Sequence, residues 1–488
     1  MIKNSDSKKK YLILIVLLLA ILLRAYNINS QSVWTDEAIS VHTGLQSVKD
    51  IFWTLDPTPP LHNIILHFWI ELFGMSAIAI RSLSVILSVA SVYMIYLVGN
   101  LINKKIGIYA ALLLAISPIS ILYAQEARAY TLLFLTSLLS MYFYIKYLKN
   151  DSKINTIGYI ISSALMMYSY VFGICIILAQ NIYCLFHKMN WKWIITQVTI
   201  LLLYLPWLLI IPRIITNNYS SGVLAWTQPV LVTLLEAFGQ FSIGIVSPMF
   251  GILLMVIFLI LIVVFLLSKE KKSLLLLWFT LPIIIPLLIT ILLLPIYSTR
   301  HTSFAVIPFI LIIALGLNTL PKKIKSITLI IIVILTLSCV IIQQNTHTKD
   351  DWKKITQYIG EKNVSQIAIM SWYEAMPLSY YYNPHCILTE KNEDAVYACL
   401  KPLGVIAIQD SNDVNSINAT KVLLVTSRLA NTPKSEEYIK TLKEHYYFEE
   451  NVTFYAYDKT FFTNQFFNTI DPKYGAFNRV VVYTLVKK

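Results

Sequence analysis

The chain has 488 residues, of which 57% are hydrophobic and only 13% charged, and it carries a formal net charge of +13. A soluble domain holds about a quarter charged residues, so the composition excludes an ordinary globular enzyme. The surplus charge does not mark a nucleic-acid binder. Residues 1–343 hold 23 basic against 10 acidic side chains and residues 344–488 hold 16 of each, so the excess sits between apolar runs, where it sets membrane orientation.

In chain order, Lys8, Lys9 and Lys10 precede the apolar run 11–23, and no small-residue cleavage site follows it. The run therefore reads as a retained first membrane helix. Further apolar runs predict helices at 80–102, 106–122, 128–148, 154–169, 171–187, 193–212, 249–267, 273–294, 302–320 and 325–343. With the first, at 11–27, that makes about eleven spans, since about 20 apolar residues cross a bilayer. Pro118, Pro206, Pro282 and Pro286 predict bends or ends within them.

Seventeen lysines, from Lys3 to Lys325, fall in alternate loops. The positive-inside rule makes those loops and the amino terminus cytoplasmic and puts residues 344–488 outside. The other side, through residue 343, holds Lys49 and five arginines: Arg24, Arg81, Arg128, Arg213 and Arg300. Arginine is the better choice where a planar fork must grip phosphate or carboxylate. The expected architecture is an α-helical polytopic membrane protein. Residues 1–343 form its transmembrane domain and residues 344–488 a small extracytoplasmic α/β domain, with strands near 366–370, 404–408 and 421–426 and helices near 351–358 and 435–443. Cys386 and Cys399 lie in that tail, and spacing alone does not decide whether they pair.

The outer loops carry the candidate chemistry. The first contains Trp34-Thr35-Asp36-Glu37-Ala38 and then Asp56-Pro57-Thr58-Pro59-Pro60-Leu61-His62. Carboxylates beside a membrane are costly and favour functional roles. The bland alternative is that Asp36 caps a helix beginning near Glu37. The paired prolines deliver 61–73 as an amphipathic segment in the interface. The second outer loop brings Glu126, Arg128 and Tyr130, the third Ser169 and Tyr170, and the fourth Arg300 and His301.

The ordered set WTDEA, DPTPPLH, RSLSV, SP, AQEARAY and YLPW resembles the protein-mannosyltransferase-like families of GT-C glycosyltransferases, including the aminoarabinose transferases that modify lipid A. The resemblance covers about 11–320. It implies a polyprenyl- or dolichyl-phosphate sugar donor and inversion at the sugar carbon. It also implies Asp36 as general base, Glu37 as its companion, Asp56 as the acid ahead of the prolines and Arg128 facing the donor phosphate. His62, Arg81, Glu126, Tyr130, Tyr170, Arg300 and His301 complete the expected substrate-binding set. Thr58 and the Ser169-Tyr170 turn depart from the usual histidine-containing pattern. No cofactor is implied with certainty, and a divalent metal stays open. The partners expected are a lipid-linked sugar, an acceptor that is lipid, protein or glycan, and membrane lipids. A transporter or flippase would carry its charges near the midplane rather than in outer loops. A glycan polymerase would place its large outer loop late in the chain.

Overall fold

The computed structural model describes residues 2–53, 58–212, 230–246, 248–270, 272–293, 296–370, 372–427, 433–455 and 479–488. Asp56, Arg213 and Lys271 lie outside the described residues. The chain forms two compact units. One comprises Met1–Tyr26, Val48–Trp69 and Ile80–Gln344, the other Asn27–Ser47, Ile70–Ala79 and Asn345–Lys488.

The first unit is helical. A helix lies on each of the eleven apolar runs, beginning with Ile2–Ala25 and Ala77–Ile102 and ending with Val306–Thr319 and Lys322–Gln344. Five described helices are by themselves long and apolar enough to cross a membrane, and the bent pair Gly107–Ile116 and Pro118–Ala124 makes a sixth. The others are shorter, such as Gly251–Leu267 and Val306–Thr319. An additional apolar helix, Val230–Ile243, occupies a stretch in which no element was expected. Glu236 and Gln240 interrupt the apolar run there, yet they stand one turn apart and pair at 2.8 Å, which suits a helix surface.

The 61° bend between Gly107–Ile116 and Pro118–Ala124 has a sequence cause. Pro118 stands at the first position of the second helix, where its missing N–H is harmless. The break frees carbonyls that a bilayer cannot solvate. Arg24 meets them, donating to the Ala115 carbonyl at 2.8 Å and the Leu114 carbonyl at 3.1 Å. It also donates to the Ser88 hydroxyl at 2.7 Å and the Ser120 hydroxyl at 3.0 Å. Arg24 is fully buried, so its fork is committed inside the bundle. It does not join the arginines that could face a ligand.

The lysine-bearing loops meet one another at one end of this unit. The Lys149 ammonium donates to the Leu101 carbonyl at 2.7 Å, and Lys188 to the Tyr147 and Leu148 carbonyls at 3.1 Å. Asn103 reaches Glu270 at 3.0 Å, Lys192 reaches Asp151 at 3.4 Å, and Lys325 sits 5.9 Å from the Tyr109 ring centre. At the loop after the bend, Gln125 donates to the Arg24 and Tyr26 carbonyls at 3.1 and 2.7 Å. The helix Val306–Thr319 is buried on every face from Val306 to Leu317, as a helix apolar all round must be. Gly316 lets it approach the Leu261 backbone so closely that a Cβ would collide with that carbonyl.

The second unit contains a five-stranded sheet of order β2-β1-β3-β5-β4. Strands β1 (Gln366–Ile369), β2 (Val405–Ala407) and β3 (Lys421–Thr426) are parallel and lie on the three runs read as strands. Strands β4 (Tyr446–Tyr455) and β5 (Arg479–Lys487) are antiparallel additions that were not foreseen. The helix Pro433–His445 contains the expected 435–443, and Trp352–Lys362 overlaps the expected 351–358, with Asp351 as its N-cap. Cys386 and Cys399 are bonded to each other, which answers the pairing question left open by spacing.

Candidate active site

In the first unit the loops that carry the candidate residues form a chain of contacts. His62, one residue into the helix Leu61–Phe73, is 1% exposed, and its Nδ1 lies 3.2 Å from the Asn63 side-chain oxygen. Burial pushes the His62 imidazole down to about 4. The Asn63 bond opposes that shift, and the nearby Arg128 guanidinium adds to it. His62 is therefore neutral at physiological pH and brings no second positive charge beside Arg128. The Glu126 carbonyl accepts from the Ser84 hydroxyl at 2.6 Å and from the Arg128 amide at 2.9 Å. The turn before the helix Tyr130–Lys149 is thus tied to the helix that Arg81 enters. Arg81 and Glu126 are buried, and Arg128 is half-buried.

An aromatic row continues from there. The Tyr123 and Tyr130 ring centres are 4.5 Å apart, Tyr130 and Tyr170 6.0 Å, and Tyr170 and His301 6.0 Å. The His301 ring stacks on Phe172 at 5.7 Å, and its Nδ1 lies 3.1 Å from the Ile296 carbonyl oxygen. Glu126 and Arg300 both act electrostatically on the Tyr123 hydroxyl. The four loops that carry these residues are thereby brought together: His62, Arg128, Tyr130, Tyr170, Arg300 and His301 belong to one neighbourhood, and Arg81 and Glu126 are buried. Sequence reasoning missed Ser84 and Phe172 as members, since nothing in the sequence marks their partners, and it placed Tyr123 in the second loop only as an interfacial anchor beside Tyr130.

Asp36 and Glu37 lie in the second unit. Their helix is Thr35–Gly44, and its N-cap is Trp34, with no side-chain cap bond. Asp36 is therefore not the cap. It sits in the first turn, where the helix dipole favours an anion, and it is half-exposed. Glu37 is fully buried and paired with Lys349, whose ammonium lies 3.3 Å from its Oε2. Among the described residues no three His, Cys, Asp or Glu side chains are grouped so that they could hold a metal ion.

The bundle shares the GT-C fold of solved glycosyltransferases. Residues 57–215 match the family model described as dolichyl-phosphate-mannose-protein mannosyltransferase. The chain superposes on ArnT from Cupriavidus metallidurans in the apo state with a TM-score of 0.60 at 12% identity, covering 98% of both chains. Against the same protein bound to undecaprenyl phosphate the TM-score is 0.54 at 12% identity, covering 96% of this chain and 97% of that one. The archaeal oligosaccharyltransferase AglB from Archaeoglobus fulgidus, in complex with an inhibitory peptide and a dolichol-phosphate, gives 0.55 at 12% identity, covering 91% of this chain and 73% of that one. No curated protein sequence matches the chain.

Proposed function

We propose that the protein is a membrane glycosyltransferase that moves a sugar from a polyprenyl or dolichyl phosphate to an acceptor hydroxyl on the outer face of the membrane, with inversion. The observation that carries this reading is the convergence of Arg128, Arg300, His62, Tyr130, Tyr170 and His301 from four loops of one unit. Cations beside an aromatic wall suit a phosphate that carries a sugar. Proteins of the same fold hold undecaprenyl phosphate and dolichol-phosphate.

In the proposed reaction the acceptor oxygen attacks the anomeric carbon. The bond from that carbon to the phosphate oxygen breaks, and its electron pair leaves with the polyprenyl phosphate. The acceptor proton passes to the Asp36 carboxylate, with Glu37 as its companion. General base catalysis of this kind contributes about 10²–10⁴-fold. Arg128, with Arg300 second, takes up the charge growing on the phosphate. Asp56, His62, Arg81, Glu126, Tyr130, Tyr170 and His301 line the substrates. Residues 1–343 are the catalytic transmembrane domain and 344–488 an extracytoplasmic domain, with the amino terminus cytoplasmic. The Cys386–Cys399 bond supports that orientation, because disulfides persist in oxidising compartments.

The test is transfer by purified protein in lipid discs. The donors are undecaprenyl and dolichyl phosphates carrying radiolabelled mannose, glucose or aminoarabinose, and a cell-envelope extract supplies acceptors. The reading predicts label in the acceptor and free polyprenyl phosphate from at least one donor. Arg128→Lys keeps the charge but loses the fork, so it raises the donor KM by about tenfold, the worth of roughly one charge-assisted hydrogen bond. A folded protein that releases no polyprenyl phosphate from any donor contradicts the proposal.

A further inference from the structure

The segment leading into the acid pair is held, residue after residue, by the stretch that follows the last apolar helix. The Gln31 side-chain oxygen accepts from the Thr348 hydroxyl at 3.0 Å and the Thr348 amide at 3.2 Å. The Ser32 hydroxyl donates to Asp351 at 2.8 Å and accepts from the Lys353 amide at 3.1 Å. The Val33 amide donates to the Tyr381 hydroxyl at 2.7 Å. The Lys349 ammonium lies 5.9 Å from the Trp34 ring centre and 3.3 Å from the Glu37 carboxylate. Further along the same helix, His42 Nε2 lies 2.9 Å from the Glu390 carbonyl oxygen. The Lys349 and Glu37 side chains are 7% and 0% exposed. A charge so buried persists only when paired.

This geometry separates two neighbouring acids that look equivalent in sequence. Successive side chains on a helix diverge by about 100°. With Glu37 turned inward onto Lys349, Asp36 is carried to a half-exposed position. We propose that Lys349 is a positioning residue of the transfer reaction: by holding Glu37 it sets the rotation of the first helical turn and leaves Asp36 as the acid that receives the acceptor proton. This rests on the transfer reaction proposed above and gives the tail a part in it. Lys349 touches neither donor nor acceptor. It acts through Glu37.

The experiment compares wild type, Lys349→Met, Lys349→Arg and the double variant Glu37→Gln/Lys349→Met, each purified in lipid discs and assayed with the donor that wild type uses. Lys349→Met is expected to lower kcat by about 10²-fold with little change in donor KM, the cost of misplacing a catalytic group by about an ångström. Lys349→Arg, which keeps the cation, recovers most of that loss. The double variant, which removes both charges, recovers at least about tenfold over Lys349→Met. If Lys349→Met does not fold, the other two variants carry the test. A folded Lys349→Met variant working within about threefold of wild type overturns the inference. So does a double variant as impaired as Lys349→Met, which would place Lys349 on the reacting groups themselves. Failure of the transfer proposal itself is a different result, namely a wild-type protein inactive with every donor.

Discussion

Glu374 is a buried acid for which the proposed chemistry has no use. It is 1% exposed, and burial pushes its carboxyl up to about 8, with Ser427 opposing the shift and Asp350 adding to it. The folded state thus prefers the neutral acid, whereas an unfolded chain ionises it near the ordinary value of about 4.5. Its contribution to stability is complete below that value and is lost as pH rises from about 4.5 through 8, on the order of a few kcal/mol. Glu374→Gln mimics the neutral acid. The wild-type melting temperature should fall relative to this variant between pH 5 and pH 8, and parallel curves would contradict that environment. At this scale the sequence was only partly readable. Asp36 could be singled out because an acid next to a membrane needs a reason. Its place inside the first turn, rather than at the cap, depends on Trp34 preceding the helix. Lys349 could not be found, because its partner Glu37 is 312 residues away and no local pattern marks such a pair.

The elements were far more legible, since length and apolarity alone locate a membrane helix. All eleven runs became helices, and Pro118 announced the bend. What the pattern could not reveal was how the bend is tolerated. Arg24 looks like one more interfacial arginine until its donors are traced to Ala20, Leu114, Ala115, Ser88 and Ser120. Arg24→Leu would remove the guanidinium's bonds to two carbonyls at the break and to two hydroxyls, at about 1–3 kcal/mol for each buried group then left unsatisfied. The variant is expected to express poorly and melt several degrees lower in detergent. Arg24→Lys should recover only part of the loss, because an ammonium cannot span the same fork. Wild-type melting of Arg24→Leu would show that the break is held by other contacts. The helix Val230–Ile243 and the strand β4 escaped detection for a related reason. Glu236 and Gln240 break the apolar run, and β4 carries Glu449, Glu450 and Asn451 in its middle. Polar residues of that kind read as loop until a partner helix or strand is known.

For the whole molecule, the alternation of lysines and arginines is the sequence feature from which the proposed topology is read, and Lys149, Lys188, Lys192 and Lys325 each contact a neighbouring loop or helix. If the tail is outside, Lys440→Cys, at an exposed position of the helix Pro433–His445, should react with an impermeant thiol reagent in intact cells and Lys104→Cys only after lysis. The reverse pattern would invert the assignment. The central claim is that this fold transfers a lipid-linked sugar with Asp36 as the base. Asn is nearly the size of Asp and keeps an acceptor oxygen, but it is no effective base. In a first-turn position that is not the cap, losing the charge costs only about 0.3–1 kcal/mol of helix stability. The decisive measurement is therefore the turnover of polyprenyl-phosphate sugar by purified, folded Asp36→Asn protein beside wild type. A loss of about 10²-fold or more with unchanged melting is the predicted result, and turnover close to wild type would contradict it.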